Sequence, residues 1–187
     1  LRRDITANFT QTYVDNLSGG RRVEGGTLWA ESSGKVRWSY QAPVRKDFIY
    51  DGTTAYFYEP DNAQVTVFER FEDSQLSRVV QFLWGQGDLL ATFNIASCTE
   101  DCGVTSEFER VLLLKPKQSI PSINRVLLAV DIRTSRVVRS LVFDPLGNYT
   151  EYALTDLRFD MAVDAKKFQF EVPEGVSVLR SAMNKKP

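Results

Sequence analysis

The chain has 187 residues, of which 43% are hydrophobic and 25% are charged, and its formal net charge at pH 7 is −1. This composition is typical of a globular protein, excludes a disordered or fibrous chain, and lacks the basic charge that a nucleic-acid partner requires. No run approaches the roughly 18 apolar residues of a membrane-spanning helix, and we predict a single, monomeric domain over residues 1–187.

The first third of the chain consists of short runs rich in aromatic and β-branched residues, which are typical of antiparallel strands. In one of them Val36, Trp38 and Tyr40 alternate with polar residues and therefore share a face. The dipeptide Asp51-Gly52 between two runs is a hairpin signal. Strands are predicted at residues 5–14, 23–30, 36–40, 48–50, 55–58 and 64–68.

The period of the pattern then changes from strand to helix. Leu76, Val79, Val80 and Leu83 follow Ser74 at i, i+3, i+4 and i+7, which is the spacing of one apolar helix face. Ser74 is a suitable N-cap, and the glycines of residues 85–87 end the helix. The sequence therefore predicts one amphipathic helix, followed by a short helical turn over residues 88–92.

Strand patterns resume in the second half of the chain, and several are apolar on both faces. Val126 and Leu128 alternate with Leu127 and Ala129, so neither face of that strand is polar. A sheet with one face in water alternates more strictly than this. We expect a strongly curved antiparallel sheet whose second face is covered by a helix, by closure of a barrel or by a ligand. The predicted strands are residues 93–96, 111–114, 125–132, 137–143, 149–157, 168–172 and 176–179.

The residues available for chemistry are few. The chain has no histidine, which removes Ser-His and Cys-His nucleophile pairs and the commonest metal ligand. Cys98 and Cys102 lie in one polar loop, and a zinc site there would need two carboxylates to complete it, which is rare. We predict a local disulfide, which implies an oxidising compartment, with two free thiols as the alternative. We predict no catalytic residue, no metal and no cofactor.

A series of landmarks runs in a specific order along nearly the whole chain. Each is weak alone, because it consists mostly of turn residues and aromatics, but their order and spacing together are specific. They are Phe9-Thr10-Gln11, Gly26-Thr27-Leu28-Trp29, Val36-Arg37-Trp38-Ser39-Tyr40 with Pro43, Asp51-Gly52-Thr53, Tyr56-Phe57-Tyr58 with Pro60, Leu114-Lys115-Pro116-Lys117, Asp144-Pro145-Leu146-Gly147-Asn148 and Phe168-Gln169-Phe170-Glu171-Val172-Pro173. In these landmarks the chain resembles the periplasmic lipoprotein carrier family LolA.

The resemblance implies an unclosed half-barrel of antiparallel strands with a short helical lid, and acyl chains of lipoproteins held between the two. It implies a periplasmic location and acylated lipoproteins as cargo. It also implies loading by an ABC-type lipoprotein-releasing complex of the inner membrane and delivery to the outer membrane, with an outer-membrane lipoprotein as the candidate acceptor.

The chain departs from the family at two places. The family's N-terminal helix is largely absent ahead of Asp4, and Ser32-Ser33 stand where the best-studied branch has an Arg-Pro pair that ties the barrel to its lid. We therefore carry no arginine over to this chain. The departures indicate a different lid latch or a different lipid cargo.

Aromatic and apolar residues of the strands and the helix are the candidates for an acyl-chain cavity. Tyrosine suits such a wall because its ring is apolar and its hydroxyl is polar. The alternative is ordinary packing of the strands and of a fixed helix, which uses the same residue types. The candidates are Tyr13, Val36, Trp38, Tyr40, Phe48, Tyr50, Tyr56, Leu76, Val79, Val80 and Leu83.

The predicted function is a carrier that shields acyl chains and performs no chemistry. The alternatives are a sensor of lipids or lipoproteins with the same shape, and a carrier of another lipid. A lipid hydrolase would need a Ser-Lys or paired-carboxylate site, since histidine is absent, and the sequence shows no such constellation.

Overall fold

The computed structural model describes residues 4–69, 71, 89–100, 102–103, 107–159 and 162–181. The predicted helix, with Leu76, Val79, Val80 and Leu83, lies outside the described residues. Within them, no helix has both the length and the apolar character that crossing a membrane requires.

The described residues form twelve strands in one mainly antiparallel sheet. The strands are β1 (Ile5–Val14), β2 (Arg21–Ala30), β3 (Val36–Ala42), β4 (Lys46–Tyr50), β5 (Thr54–Glu59), β6 (Gln64–Glu69), β7 (Phe93–Ser97), β8 (Glu109–Pro116), β9 (Arg125–Asp131), β10 (Arg136–Phe143), β11 (Tyr149–Phe159) and β12 (Ser177–Ser181). Their order in the sheet is β12-β6-β5-β4-β3-β2-β1-β11-β10-β9-β8-β7, which leaves β12 and β7 as ends, so the sheet is unclosed as predicted. The helix α1 (Leu89–Thr92) confirms the predicted turn before β7.

The prediction of a strand over residues 168–172 is wrong. Ala165–Phe168 forms a 3-10 helix, because the Asp164 side chain accepts a hydrogen bond from the backbone N–H of Lys166 and caps the turn. Phe168 is buried, and Phe170 packs 5.2 Å from the rings of Tyr56 and Tyr58. The alternating phenylalanines therefore mark a segment that docks its rings on the sheet without pairing with it.

One glycine of β2 is required by the close approach of β3. The pairing shifts between Gly25 and Gly26, and a Cβ atom on Gly26 would overlap the carbonyl oxygen of Ser39. Only glycine allows the two backbones to meet at this bulge.

The chain divides into two compact units. The first unit comprises Leu1–Phe9, Glu24–Gln81 and Asp156–Pro187, and the second comprises Thr10–Val23 and Phe82–Thr155. Strands β1, β2 and β11 each contribute residues to both units. The single domain expected from the sequence stays a prediction.

The second unit buries β9 on both faces, as its sequence predicts. Val126, Leu127, Leu128 and Ala129 are consecutive and all buried. On one face Leu127 and Ala129 cluster with Val111 and Cys102, with further aliphatic and aromatic side chains of β8 and β10 around them.

Candidate functional site

Five of the predicted cavity residues lie on one face of β3 and β4. In this antiparallel pair Val36 lies opposite Tyr50, and Trp38 lies opposite Phe48. Directly paired residues point to the same side of a sheet, and Tyr40 follows Trp38 by two positions. The alternation seen in the sequence therefore places Val36, Trp38, Tyr40, Phe48 and Tyr50 together, and we call this surface the aromatic face.

Two phenylalanines that the sequence analysis did not select extend the aromatic face. The ring of Phe9 lies 4.7 Å from Trp38 and 4.9 Å from Tyr40. The ring of Phe71 lies 5.3 Å from Phe48 and 5.4 Å from Tyr50, and it is 1% exposed. Phe9 could have been found from the alternation of β1, where residues 5, 7 and 9 are buried, whereas Phe71 lies outside any periodic run.

Burial divides the aromatic face into a sealed part and an accessible part. Val36 and Trp38 are each 4% exposed, so they already pack within the protein. Tyr40, Phe48 and Tyr50 are only partly buried. An apolar ligand would therefore meet Phe48 and Tyr50 first, and Phe71 already covers part of both, whereas the Tyr40 ring lies against the ammonium of Lys46.

Tyr56 does not belong to this surface, so the structure does not bring it together with the five candidates of β3 and β4. It pairs with Ile49, which pairs with Arg37, so it points to the opposite face of the sheet. Its hydroxyl donates a 3.4 Å hydrogen bond to Asp51, and burial, with the negative charge of Asp51, raises the pKa of Tyr56. The neighbouring Phe57 is the β5 residue that lies opposite Phe48.

Tyr13 lies in the second unit and not with the aromatic face of the first. The guanidinium of Arg22 lies 5.6 Å from the centre of its ring, which is within the range of a cation–π contact.

On the opposite face of the first unit, the 3-10 helix Ala165–Phe168 packs against the strands. Arg37 forms an ion pair with Asp47 at 2.9 Å and also donates a hydrogen bond to the carbonyl oxygen of Lys167. The ammonium of Lys167 in turn lies 4.4 Å from the ring centre of Trp29. These contacts hold the 3-10 helix Ala165–Phe168 on that face. Arg37 thus links β3 and β4 to the 3-10 helix Ala165–Phe168.

A groove of about 560 Å³ opens beside β3 and β4, and its lining is mainly polar. Lys46 forms a 2.6 Å ion pair with Glu24 and lies 4.4 Å from the ring centre of Tyr40. Because charged groups lose hydration against hydrocarbon, this groove does not suit an acyl chain. Its lining residues are Ser39, Tyr40, Gln41, Arg45, Lys46, Asp47 and Pro60.

The structure joins the Sγ atoms of Cys98 and Cys102 in a disulfide. Next to this loop Arg139 donates to the carbonyl of Gly103, and its guanidinium lies 3.1 Å from Glu109 and 3.5 Å from Glu151. The disulfide and the ion pairs of Arg139 both lie in the second unit.

Comparison with known proteins agrees with the resemblance. Residues 3–171 match the family model described as outer membrane lipoprotein carrier protein LolA. An outer-membrane lipoprotein carrier protein of Methylococcus capsulatus is 31% identical over 176 residues, which are 94% of this chain and 81% of that protein. One of Chromohalobacter salexigens is 31% identical over 181 residues, covering 94% and 80% of the two chains.

A solved structure of an uncharacterized conserved protein from Thermus thermophilus shares the fold, with a TM-score of 0.60 at 10% identity over 97% of this chain and 92% of that one. The family match extends over most of the chain, and the 31% identity to named carriers agrees with it. This chain belongs to the LolA family of outer membrane lipoprotein carrier proteins.

Proposed function

We propose that this protein carries lipoproteins by sheltering their acyl chains on the aromatic face of the first unit. The observation that carries the proposal is the register of β3 with β4, which gathers apolar and aromatic side chains on one face and leaves Tyr40, Phe48 and Tyr50 partly exposed. The family and the named carrier relatives support the same cargo.

The energetics of such a carrier need no catalytic step. Burial of a methylene group is worth about 0.8 kcal/mol, so a chain of about fifteen methylenes gains on the order of 12 kcal/mol before costs are subtracted. That gain keeps the cargo out of water. Release then requires an acceptor that is equally apolar.

Phe71 occupies part of this surface. Its ring contacts Phe48 and Tyr50 and is almost fully buried. An acyl chain that reaches these two side chains replaces the contacts of the ring. Phe71 therefore acts as an internal substitute for cargo, and its displacement reduces the net affinity.

The proposed function includes the compartment in which the protein works. The disulfide Cys98–Cys102 suits an oxidising compartment. The relatives are called outer-membrane lipoprotein carrier proteins. We place the protein in the periplasm. There an ABC-type lipoprotein-releasing complex of the inner membrane loads it, and an outer-membrane lipoprotein accepts the cargo.

The proposal is tested by native mass spectrometry of the protein after incubation with a triacylated lipoprotein, followed by transfer to acceptor vesicles. Stoichiometric binding with transfer is expected. Phe48→Ala should lower loading at least tenfold, because an accessible ring of the aromatic face is lost. Tyr58→Ala is the matched control, since Tyr58 is also a partly buried aromatic but pairs with Asp47 and so lies on the opposite face.

Equal loading of both variants would refute the placement on the aromatic face. Binding by the wild type without transfer to vesicles would favour a sensor over a carrier. Turnover of the lipoprotein would show an enzyme.

A further inference from the structure

Several turns of the second unit meet at one end of its strands. Phe143 at the end of β10 lies opposite both Arg125, which begins β9, and Tyr149, which begins β11. Phe93, which begins β7, lies opposite Pro116 at the end of β8. The β10–β11 turn, the β8–β9 connection and helix α1 before β7 are therefore on the same side.

The β1–β2 turn is fastened to this end by hydrogen bonds. The backbone N–H of Asn16 donates a 2.9 Å hydrogen bond to the side-chain oxygen of Asn148, and the amide of Asn16 lies 3.5 Å from the carbonyl oxygen of Leu146. The tips of the β1–β2 and β10–β11 turns are thus held side by side.

The β1–β2 turn, the β10–β11 turn and helix α1 each present a leucine to solvent. Leu17 is 97% exposed, Leu146 is 79% exposed, and Leu90 of helix α1 is 67% exposed. We call Leu17, Leu90 and Leu146 the leucine tips. Strands of a sheet are about 4.8 Å apart, so the strand order places Leu17 roughly 10 Å from Leu146 and Leu90 roughly 17 Å beyond it.

The turns that carry Leu17 and Leu146 are held by carboxylates. Asp15 accepts hydrogen bonds from the backbone N–H groups of Leu17 and Ser18, and Asp144 accepts them from those of Leu146 and Asn148. The hydrogen bonds from Ser18 hold the pKa of Asp15 below its ordinary value, which means that the ionised carboxylate stabilises this turn. The exposed leucines therefore lie on ordered turns.

Four exposed cations surround the leucine tips. The guanidinium of Arg125 lies 4.1 Å from the ring centre of Phe143, Arg22 lies over Tyr13, and Lys117 donates to the carbonyl oxygen of Leu90. Arg21 adjoins Arg22 at the start of β2. Asp15 and Asp144 are the carboxylates of the two turns, so positive charge prevails among these described residues.

We propose that this end of the second unit docks on the surface of a lipid bilayer that contains anionic phospholipid. The leucine tips enter the boundary between headgroups and acyl chains, and the arginines and Lys117 lie at the level of the phosphates. Tyr13 and Phe143, which lie under two of the cations, suit the same interfacial depth.

The spacing of the leucines favours a bilayer over a protein partner. A protein interface is built around a contiguous buried core of side chains. The leucine tips instead stand apart, two on separate turns and one on helix α1, with cations beside them. A fluid headgroup layer accommodates separate apolar tips without a complementary pocket. This docking does not depend on acyl binding by the aromatic face.

The test is co-sedimentation of the unloaded full chain with vesicles of phosphatidylcholine alone and of equal parts phosphatidylcholine and phosphatidylglycerol. Binding to the mixed vesicles is expected, and it should weaken as salt is added. Leu17→Ser/Leu146→Ser should lower the partition coefficient on mixed vesicles at least tenfold. Arg21→Gln/Arg22→Gln should lower it by a similar factor on mixed vesicles and leave binding to phosphatidylcholine unchanged.

Leu179→Ser is the control, because Leu179 is 50% exposed but lies on β12 in the first unit. It should bind mixed vesicles as the wild type does. The proposal is overturned if the wild type does not bind mixed vesicles, or if the double leucine variant binds them equally well while its circular dichroism spectrum is native. It is also overturned if sedimentation velocity without vesicles shows that the leucines join two copies of the chain.

Discussion

The first unit buries a cluster of aromatic rings beside its aliphatic side chains, whereas the buried cluster around β9 in the second unit consists of aliphatic residues and a disulfide cysteine. Rings of Phe9, Trp38, Phe48 and Phe71 meet at centroid distances near 5 Å in the first unit. In the second unit the four residues 126–129 of β9 are buried on both faces. The two units therefore differ in the volume that becomes free when a single side chain moves.

This difference separates a surface that can adapt from a scaffold that cannot. A phenylalanine ring that moves aside vacates a single large volume, which an acyl chain can fill. In β9, successive small and medium side chains point to alternate faces, so no single movement opens a comparable space without disturbing both faces. We therefore propose that cargo exchange takes place at the aromatic side chains of the first unit.

The largest effect is expected for Phe71→Ala. Removal of a buried phenylalanine costs about 3–5 kcal/mol of unfolding free energy, because contacts are lost and a cavity remains. That cavity is apolar and faces Phe48 and Tyr50, so it should bind a fluorescent fatty-acid analogue more tightly than the wild type does. Denaturant unfolding with and without the analogue measures both quantities.

Saturating analogue should recover part of the lost stability of Phe71→Ala, because a ligand that binds only the folded state stabilises it. Destabilisation together with weaker analogue binding would contradict the substitute role of Phe71.

A smaller loss of about 2–5 kcal/mol is expected for Leu128→Ala in β9, where the side chain is 1% exposed. Here the comparison predicts no gain in analogue binding, because the space is enclosed by the aliphatic core. The same unfolding and binding measurements apply. Tighter binding of the analogue by Leu128→Ala would contradict the claim that only the first unit can make room for an acyl chain.

The strands and their faces could be predicted because alternation is a local property. Val36, Trp38 and Tyr40 alternate strictly with polar residues, so their shared face follows from the sequence alone. Tyr56, Phe57 and Tyr58 are three consecutive aromatics, and only the pairing with β4 decides which of them joins the aromatic face. A run of three aromatics does not indicate which of its side chains point to which face of the sheet.

Other features depend on contacts between distant parts of the chain. Phe71 lies just after β6 and gains its partners from β4, so no local pattern marks it. The leucine tips are single residues in separate turns. Their shared position follows from strand order and from hydrogen bonds such as that between Asn16 and Asn148.

A loss near 2 kcal/mol is expected for Cys98→Ser/Cys102→Ser. The two cysteines are four positions apart, and a loop this short restricts the unfolded chain only modestly. Thermal unfolding under oxidising conditions measures the loss, and wild type in reductant is the control. Loading with triacylated lipoprotein should stay unchanged below the melting temperature, since the loop belongs to the second unit. Lost loading by the folded variant would tie the disulfide to cargo binding.

The smallest effect is local and pH-dependent, at the turn that carries Leu17. The ordinary pKa of the Asp15 carboxyl is 3.8, and hydrogen bonds from the backbone and side chain of Ser18, and from the backbone of Leu17, lower it in the folded protein. A lowered folded pKa means that the turn is fully stabilised above pH 3.8 and loses this contribution as pH falls through the folded pKa. Hydrogen exchange of the Leu17 and Ser18 amides at successive pH values measures it. Asp15→Asn keeps an acceptor oxygen that does not titrate, so the ratio of wild-type to variant protection should fall to a plateau at low pH. A constant ratio across this range would show that the carboxylate charge does not hold the turn.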